Sequence, residues 1–152
     1  MALVETPFFG KLEIDEGETF FFPEGIPGWE EVRRFVFIRP DESLPFSYMQ
    51  SVDEPRLSFL TADPFVFYPD YEFDLPESVQ SELEITSAEE VMVHAIVTMK
   101  AGLGRATVNL LAPVVVNRRR RLGKQVVLEH SPYKTRHPLP GGKGGSHAGT
   151  HP

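Results

Sequence analysis

The groups of this chain with reach for acid–base or metal chemistry are its five histidines and 22 carboxylates. There is no cysteine, which excludes disulfides, thiol catalysis and cysteine-ligated zinc. A zinc site on structured backbone asks for histidines at close, fixed spacing together with a third ligand. His147 and His151 have such a spacing, but they lie in a glycine-rich run with no third ligand near, so adventitious metal binding is the most they support. His94 sits in an alternating run: Val91, Val93, Ala95 and Val97 share one face, and His94 shares the other with Met92, Ile96 and Thr98. That position predicts a core or partly buried imidazole. His130 and His137 belong to the polar segment HSPYKTRHP, with Glu129 as the nearby acid. Nucleophile-elbow, phosphate-loop and dinucleotide-binding spacings are absent. Chance carboxylate pairs occur in any acidic protein, so a glycosidase-like dyad has little support. No catalytic, cofactor-binding or metal-ligating residue is assigned.

Residues 63–74, DPFVFYPDYEFD, are the most informative stretch. Phe65, Phe67, Tyr68, Tyr71 and Phe73 stand there among four carboxylates and two prolines, with no nucleophile, thiol or histidine. Pro64 and Pro69 are expected to stop a helix and hold the backbone in extended and turned shapes. The aromatics are too many for a plain solvent loop and the acids too many for a core strand. The mixture suits a rigid ridge with one side packed inward and the other facing a partner. The plainer alternative is a loop that caps the core with its rings and leaves its acids in water. If residues 70–73 are extended, side chains alternate in direction. Asp70 and Glu72 should then point outward, because unpaired acids are costly to bury, and Tyr71 and Phe73 should pack inward. Asp70, Tyr71, Glu72 and Phe73 are the candidate protein-binding set.

The elements that must position this ridge are mostly strands. Residues 20–22, 34–38, 46–51, 57–61, 91–99, 106–111 and 125–128 are rich in β-branched or aromatic side chains, and turn clusters such as Pro23-Glu24-Gly25 and Asp53-Glu54-Pro55 punctuate them. Short strands at this spacing predict a mainly β protein, a small antiparallel β-barrel-like single domain with one or two short helices. Residues 91–99 and 107–116, flanking a glycine-containing turn, read as its central hairpin. The helical pieces are expected at residues 29–33, opening after Gly28, and at residues 76–83, with Asp74 as N-cap and Pro76 in the first turn. Ser87 and Glu90 stand at capping-box spacing. Asn109, Pro113 and Asn117 sit where a strand is interrupted and are read as serving geometry.

At 152 residues, 41% hydrophobic and 24% charged, the composition is that of an ordinary globular domain. No apolar run approaches a membrane span, and acids from Glu5 onward argue against a signal peptide, so a cytoplasmic location is expected. Residues 1–100 hold 21 acids against 6 bases, a net of −15, while residues 101–152 hold 9 bases against Glu129 alone, a net of +8. The acidic body disfavours nucleic acid and favours basic protein surfaces. Arg118, Arg119, Arg120 and Arg121 follow a strand-like run and precede Leu122-Gly123-Lys124, where a hairpin turn would sit. A solvated turn with the acidic body as counter-charge is preferred there to a phosphate site.

The strings FFFPEGIPGWEE (from Phe20), MQSVDEPRLSFLTADPFVFYPDYEFDL (from Met49), HAIVTM (from His94), ATVNLLAPVVVN (from Ala106) and GKQVVLEHSPYKTRHPL (from Gly123) resemble those of the FliW family of bacterial flagellar assembly factors. The resemblance runs in order from about Glu5 to Leu139. Its most specific parts are the DPF-x-F-x-PDYEF ridge and the NL-x-AP-x-VVN strand; the arginine run and the glycine-rich tail depart from it. It implies a β-barrel-like domain without catalytic activity or cofactor. It also implies two protein partners: flagellin, and CsrA, a basic RNA-binding dimer that represses translation of flagellin message. In that scheme the protein bound to CsrA relieves repression and free flagellin competes for it, with no membrane and no direct nucleic-acid contact.

Two other classes stay open on the residues alone. A carboxylate-dependent hydrolase on a small barrel would need two carboxyls with separated pKa values. An RNA-binding barrel would need basic residues around a stacking face. The expected organisation is one domain over residues 1–139 and a disordered tail over residues 140–152, where only Ala148 is apolar. Truncation after Leu139 should leave the midpoint of thermal unfolding nearly unchanged; a large drop would show that the tail belongs to the domain.

Overall fold

The computed structural model describes residues 2–6, 9–100 and 105–139. The expected tail of residues 140–152 and the glycine-containing turn at residues 101–104 lie outside the described residues. The strands are β1 (Ala2–Thr6), β2 (Gly10–Ile14), β3 (Phe20–Phe21), β4 (Arg34–Ile38), β5 (Phe46–Ser51), β6 (Ser58–Ala62), β7 (Val91–Lys100), β8 (Arg105–Val108), β9 (Val114–Asn117), β10 (Leu122–Gln125) and β11 (His137–Pro138), with helices α1 (Pro64–Phe67) and α2 (Glu77–Glu82) between β6 and β7.

Seven strands close a ring, in the order β7-β6-β5-β4-β3-β10-β9 and back to β7. The mainly β, barrel-like, single-domain expectation holds. Pairing is antiparallel throughout the ring except at one point, where β3 meets β10 in parallel through Phe21 and Leu122. The central hairpin forms with an interruption. Val97 pairs with Val108 and Val91 with Asn117, so six steps along β7 match nine along its partner. The three extra residues fall in the segment 109–113, which bulges off the ladder.

The period-2 alternation on β7 separates two cores. Inside the ring lie Phe20, Phe22, Phe35, Met49, Val114 and Val116, with Phe37, Phe59 and Ile96 against them. Much of the high phenylalanine content is used here, in edge-to-face pairs such as Phe22 with Phe35 at 5.3 Å and Phe20 with Phe37 at 5.4 Å. Outside the ring, Ala95, Val97, Val108 and Val115 pack against Tyr71, Val79 and Leu83. A third small cluster covers the outer side of β4, where Val36 meets Val4 and Ile14. It belongs to the β1–β2 hairpin, an element that the residue patterns above do not assign.

Some of these expectations need correction. Residues 29–33 are not helical. Trp29 N donates to Ile26 O at 2.6 Å and Val32 N to Trp29 O at 3.0 Å, which makes successive turns. Five residues are too few to nucleate a helix unaided, and Gly25, with φ +67°, brings the chain so close that a Cβ there would sit 2.6 Å from Glu30 O. Pro64 does not prevent a helix but starts one: Asp63 Oδ1 accepts from Phe65 N at 3.0 Å, and Pro64 takes the first helical position, where it needs no N–H. The second helix has Pro76 at its N-cap with no side-chain bond, so Asp74 is not the cap. Ser87 does take the N-cap of a single 3-10 turn, Ala88–Glu90, as expected, but without a side-chain bond; Glu90 accepts from Thr86 N and Thr86 Oγ1, at 3.0 and 2.9 Å. The strand expected at residues 125–128 lies earlier, as β10, and residues 118–121 form the turn between β9 and β10, as expected.

Gly123 on β10 faces the ring interior beneath the fully buried ring of Phe22, and an added Cβ would stand 2.5 Å from Phe22 Cζ. Gly123→Ala should therefore overpack the barrel and destabilise it by about 1–3 kcal/mol, read as a lower urea midpoint with an unchanged slope. An unchanged midpoint would mean that the phenylalanine core yields freely.

Candidate functional site

The ridge follows directly from β6. After the single turn of α1, Tyr71 N donates to Tyr68 O at 2.9 Å and the chain then runs without regular structure to α2. Tyr71 is buried, Phe73 is half-buried, and Asp70 and Glu72 are exposed, the alternation expected of an extended segment. Three tyrosines clamp this stretch to the barrel. Tyr71 donates to Leu110 O at 2.7 Å. Tyr133 holds the backbone of Glu72 from both sides: its hydroxyl accepts from Glu72 N at 3.1 Å and donates to Glu72 O at 3.2 Å. Tyr68 donates to Pro138 O. The Tyr71 ring meets Tyr133 edge-on at 4.7 Å, Phe73 at 5.3 Å and Phe65 at 5.6 Å. Burial, helped by the neighbouring Tyr133, pushes the Tyr71 phenol above its usual range, and burial does the same for Tyr68; both remain neutral donors. Because Phe73 is only half-buried, its truncation removes less packing than full burial would imply.

Beside the ridge runs a groove of about 760 Å³. Its apolar lining includes Phe65, Phe73, Leu75, Ile85 and Met92, of which Phe65 and Met92 are 42% and 40% exposed. Asp63, Glu72 and Asp74 also line it, and among the described residues no Lys or Arg does. Residue patterns point to the ridge but miss the far wall of this groove. Ile85 and Leu75 sit in irregular segments, and Met92 carries the only available signal, as an apolar residue next to His94 on a strand face without full cover.

Among the described residues the titratable groups do not converge on a reaction centre. His94 is buried, stacked on Phe37 at 4.1 Å, with Nδ1 3.5 Å from Thr61 Oγ1. Burial, with the Arg39 charge adding to it, pushes its pKa down to about 4, so it is neutral at physiological pH. His137 Nε2 accepts from Lys134 N at 2.8 Å and closes a turn; burial and Lys134 lower its pKa. His130 occupies a left-handed turn position, with φ 69°. The carboxyls whose pKa moves all move down: Glu30 through Gly28 N–H, Asp41 through Ser43, and Glu90, held at about 2 by the amide and hydroxyl of Thr86. Among the described residues no carboxyl is raised toward a general-acid role, which the hydrolase reading requires. Nor does any group of three His, Asp or Glu among them stand ready to hold a metal ion. No helix among the described residues is long and apolar enough to cross a membrane.

A closed barrel bearing a clamped ridge of alternating acids and aromatics, with an apolar groove alongside, defines a small β-barrel protein distinguished by its surface. Comparison with known proteins says which. The model of the family described as FliW protein matches residues 3–139. The flagellar assembly factor FliW of Bacillus licheniformis is 44% identical over 139 residues, covering 91% of this chain and 97% of that protein. The Bacillus subtilis protein of the same name is 41% identical over 139 residues, with the same coverage. A crystal structure of the flagellar assembly factor FliW superimposes with a TM-score of 0.85 at 38% identity, covering 91% of this chain and 96% of the other. The chain belongs to the FliW family.

The buried neutral His94 makes stability depend on pH. Its folded pKa of about 4 lies below the ordinary 6.5, so on acidification the unfolded chain takes the proton first. Its contribution is full above pH 6.5, declines as the pH falls, and is lost below about 4, a change on the order of 3 kcal/mol. His137 adds a smaller fall of the same sign, and Glu90 adds one lower down, between 4.5 and about 2. Denaturant titrations of His94→Gln should show a flatter profile between pH 6.5 and 4 than the parent. Parallel profiles would place the His94 ring in water.

Proposed function

We propose that this protein is a flagellar assembly factor that acts in the cytoplasm by binding, without catalysis, and that it exchanges two partners, flagellin and the translational repressor CsrA. Bound to CsrA, it relieves repression of flagellin synthesis; free flagellin competes for it. The observation that carries the reading is the ridge: Asp70 and Glu72 exposed on a backbone that Tyr71 and Tyr133 fix in place, beside a groove whose lining has three acids and, among the described residues, no Lys or Arg. A surface with apolar floor and uniformly negative margin favours a partner segment with an apolar stripe flanked by basic residues. CsrA is basic, and electrostatic complementarity of this kind raises association rate and specificity. Pre-organisation of the ridge means that little ordering entropy is lost on binding. Family membership supports the flagellar role, since the relatives compared above carry that name.

The test is charge reversal at the two exposed acids, Asp70→Lys with Glu72→Lys. Both side chains are in water, so circular dichroism and thermal unfolding should match the parent. Affinity for CsrA should fall by roughly tenfold or more, chiefly through slower association that converges with the parent at high salt. Unchanged affinity for both CsrA and flagellin in the folded double variant would make the ridge a structural cap and refute this assignment.

A further inference from the structure

The four-arginine turn does two different jobs. Arg119 pairs with Glu90 at 3.2 Å and Arg120 with Glu84 at 3.5 Å, so the middle two cations are neutralised by the acidic body. Among the described residues, Arg118 and Arg121 have no carboxylate within salt-bridge distance. Both line a second concavity, of about 440 Å³, which adjoins the ridge groove and shares Asp63, Met92 and Val93 with it. A third arginine, Arg39, reaches the same concavity; its guanidinium donates to the carbonyls of Glu42 and Leu44, at 2.8 and 2.9 Å, and not to an acid. Against these three cations the lining carries two acids, Glu18 and Asp63, and Asp63 already accepts from Phe65 N. The lining is net positive on a chain whose formal charge is −7. Among the described residues the groove beside the ridge has acids and no Lys or Arg, and a third hollow sets Glu24 and Glu82 against Lys124.

The rest of the lining is mostly apolar, with Ser47 and His94 as its polar side chains. The ring of Phe20 carries the Arg121 guanidinium, 4.9 Å from its centroid, and Phe37 is stacked on His94. Arg121 is held in a left-handed conformation, φ 60°, with its N–H on Asn117 O at 2.8 Å, and Arg118 N donates to Glu90 O at 2.9 Å. The cations are therefore carried on a fixed turn. Guanidinium groups suit planar carboxylates, which they can grip with two parallel hydrogen bonds. A bare inorganic anion would leave the aromatic wall unused, and a polyanionic nucleic acid would meet the acidic body on every side.

We propose that this concavity is a second docking site, of opposite polarity to the ridge groove, for a polypeptide acid: an acidic side chain or a terminal carboxylate carried beside an apolar side chain. It adjoins the ridge groove and differs from it in the sign of its charge, and its test uses neither CsrA nor flagellin.

The isotopically labelled full chain is titrated, with amide shifts followed by NMR, with three probes: the capped dipeptide phenylalanyl-glutamate, its phenylalanyl-glutamine counterpart, and inorganic phosphate. The acidic dipeptide should shift the amides of His94, Arg118 and Arg121 in a saturable way. It should bind about tenfold more tightly than the glutamine dipeptide, the scale of losing one charge-assisted contact. Arg118→Gln with Arg121→Gln should abolish that preference, while Arg119→Gln with Arg120→Gln should keep it. Equal binding of the two dipeptides would leave only an apolar hollow. Tighter binding of phosphate would make it a bare oxyanion site, and tighter binding of a short single-stranded RNA in the same titration would make it a nucleic-acid contact. Any of these, or no saturable shift at all, overturns the proposal.

Discussion

A single buried amide ties the working parts of this molecule together. Asn117 ends β9 with its side chain fully buried, and all of its hydrogen-bonding capacity is directed at backbone that would otherwise be unpaired. Its Nδ2 donates to Leu83 O at 2.8 Å and Glu84 O at 3.1 Å, which ends α2 at a residue with φ 56°. Its Oδ1 accepts from Arg119 N at 2.9 Å and Arg120 N at 3.1 Å, which shapes the arginine turn. Its Cα faces Val91 across the seam where β9 closes the ring on β7. A buried polar group without partners carries a large desolvation penalty, so these bonds must form together or not at all. The closing seam, the end of the helix behind the ridge and the direction of four arginines are thereby one structural event.

The bulge at residues 109–113 is the complementary constraint. By leaving the β7 ladder it frees backbone groups that have to be satisfied elsewhere, and each one found a partner becomes an anchor. Asn109 Oδ1 takes the amides of Leu111 and Ala112, at 3.1 and 2.9 Å. The amides of Leu110 and Leu111 both point at Lys134 O, Leu111 O takes Leu128 N, and Pro113 O takes Val126 N, so the C-terminal segment is laid along the barrel. Leu110 O is what remains for the hydroxyl of Tyr71. Tyr133, delivered by that same C-terminal segment, then grips Glu72. The rigidity of the ridge thus originates in an interruption of the central hairpin and not in the ridge itself.

This explains what the amino-acid sequence made legible. Alternation of apolar and polar residues is local, and β4 and β5 fall at the residues that their patterns mark. The same local rule separates Tyr71 and Phe73 from Asp70 and Glu72, and places His94 on the inner face. The β1–β2 hairpin was not legible because it buries little: Val4 and Ile14 reach under 10% exposure among lysine and glutamates, and what they cover, Val36, is remote in the chain. The parallel contact of β3 with β10 is a matter of ring closure, to which no short pattern refers. Four consecutive arginines look equivalent as letters. Only the turn set by Asn117 sends Arg119 and Arg120 to acids and leaves Arg118 and Arg121 beside an aromatic wall.

The distribution of charge follows from these supports. Acids on the ridge stay in water in the free protein, so displaying them carries no burial penalty, and the clamps beneath them are neutral hydroxyls and carbonyls that do not compete for a cation. Stability and surface charge are then independent variables at this site: the aromatics and tyrosine hydroxyls hold the backbone, and the acids are free to be chosen for whatever they meet. On the arginine turn the division is different. Half of the cations are engaged by Glu84 and Glu90, which hold the turn against an acidic body, and that engagement leaves the other two with no acid partner among the described residues. An acidic protein can keep a localised positive hollow only if its cations are prevented from collapsing onto the surrounding carboxylates, and here the backbone of the turn, fixed by one asparagine, provides that restraint.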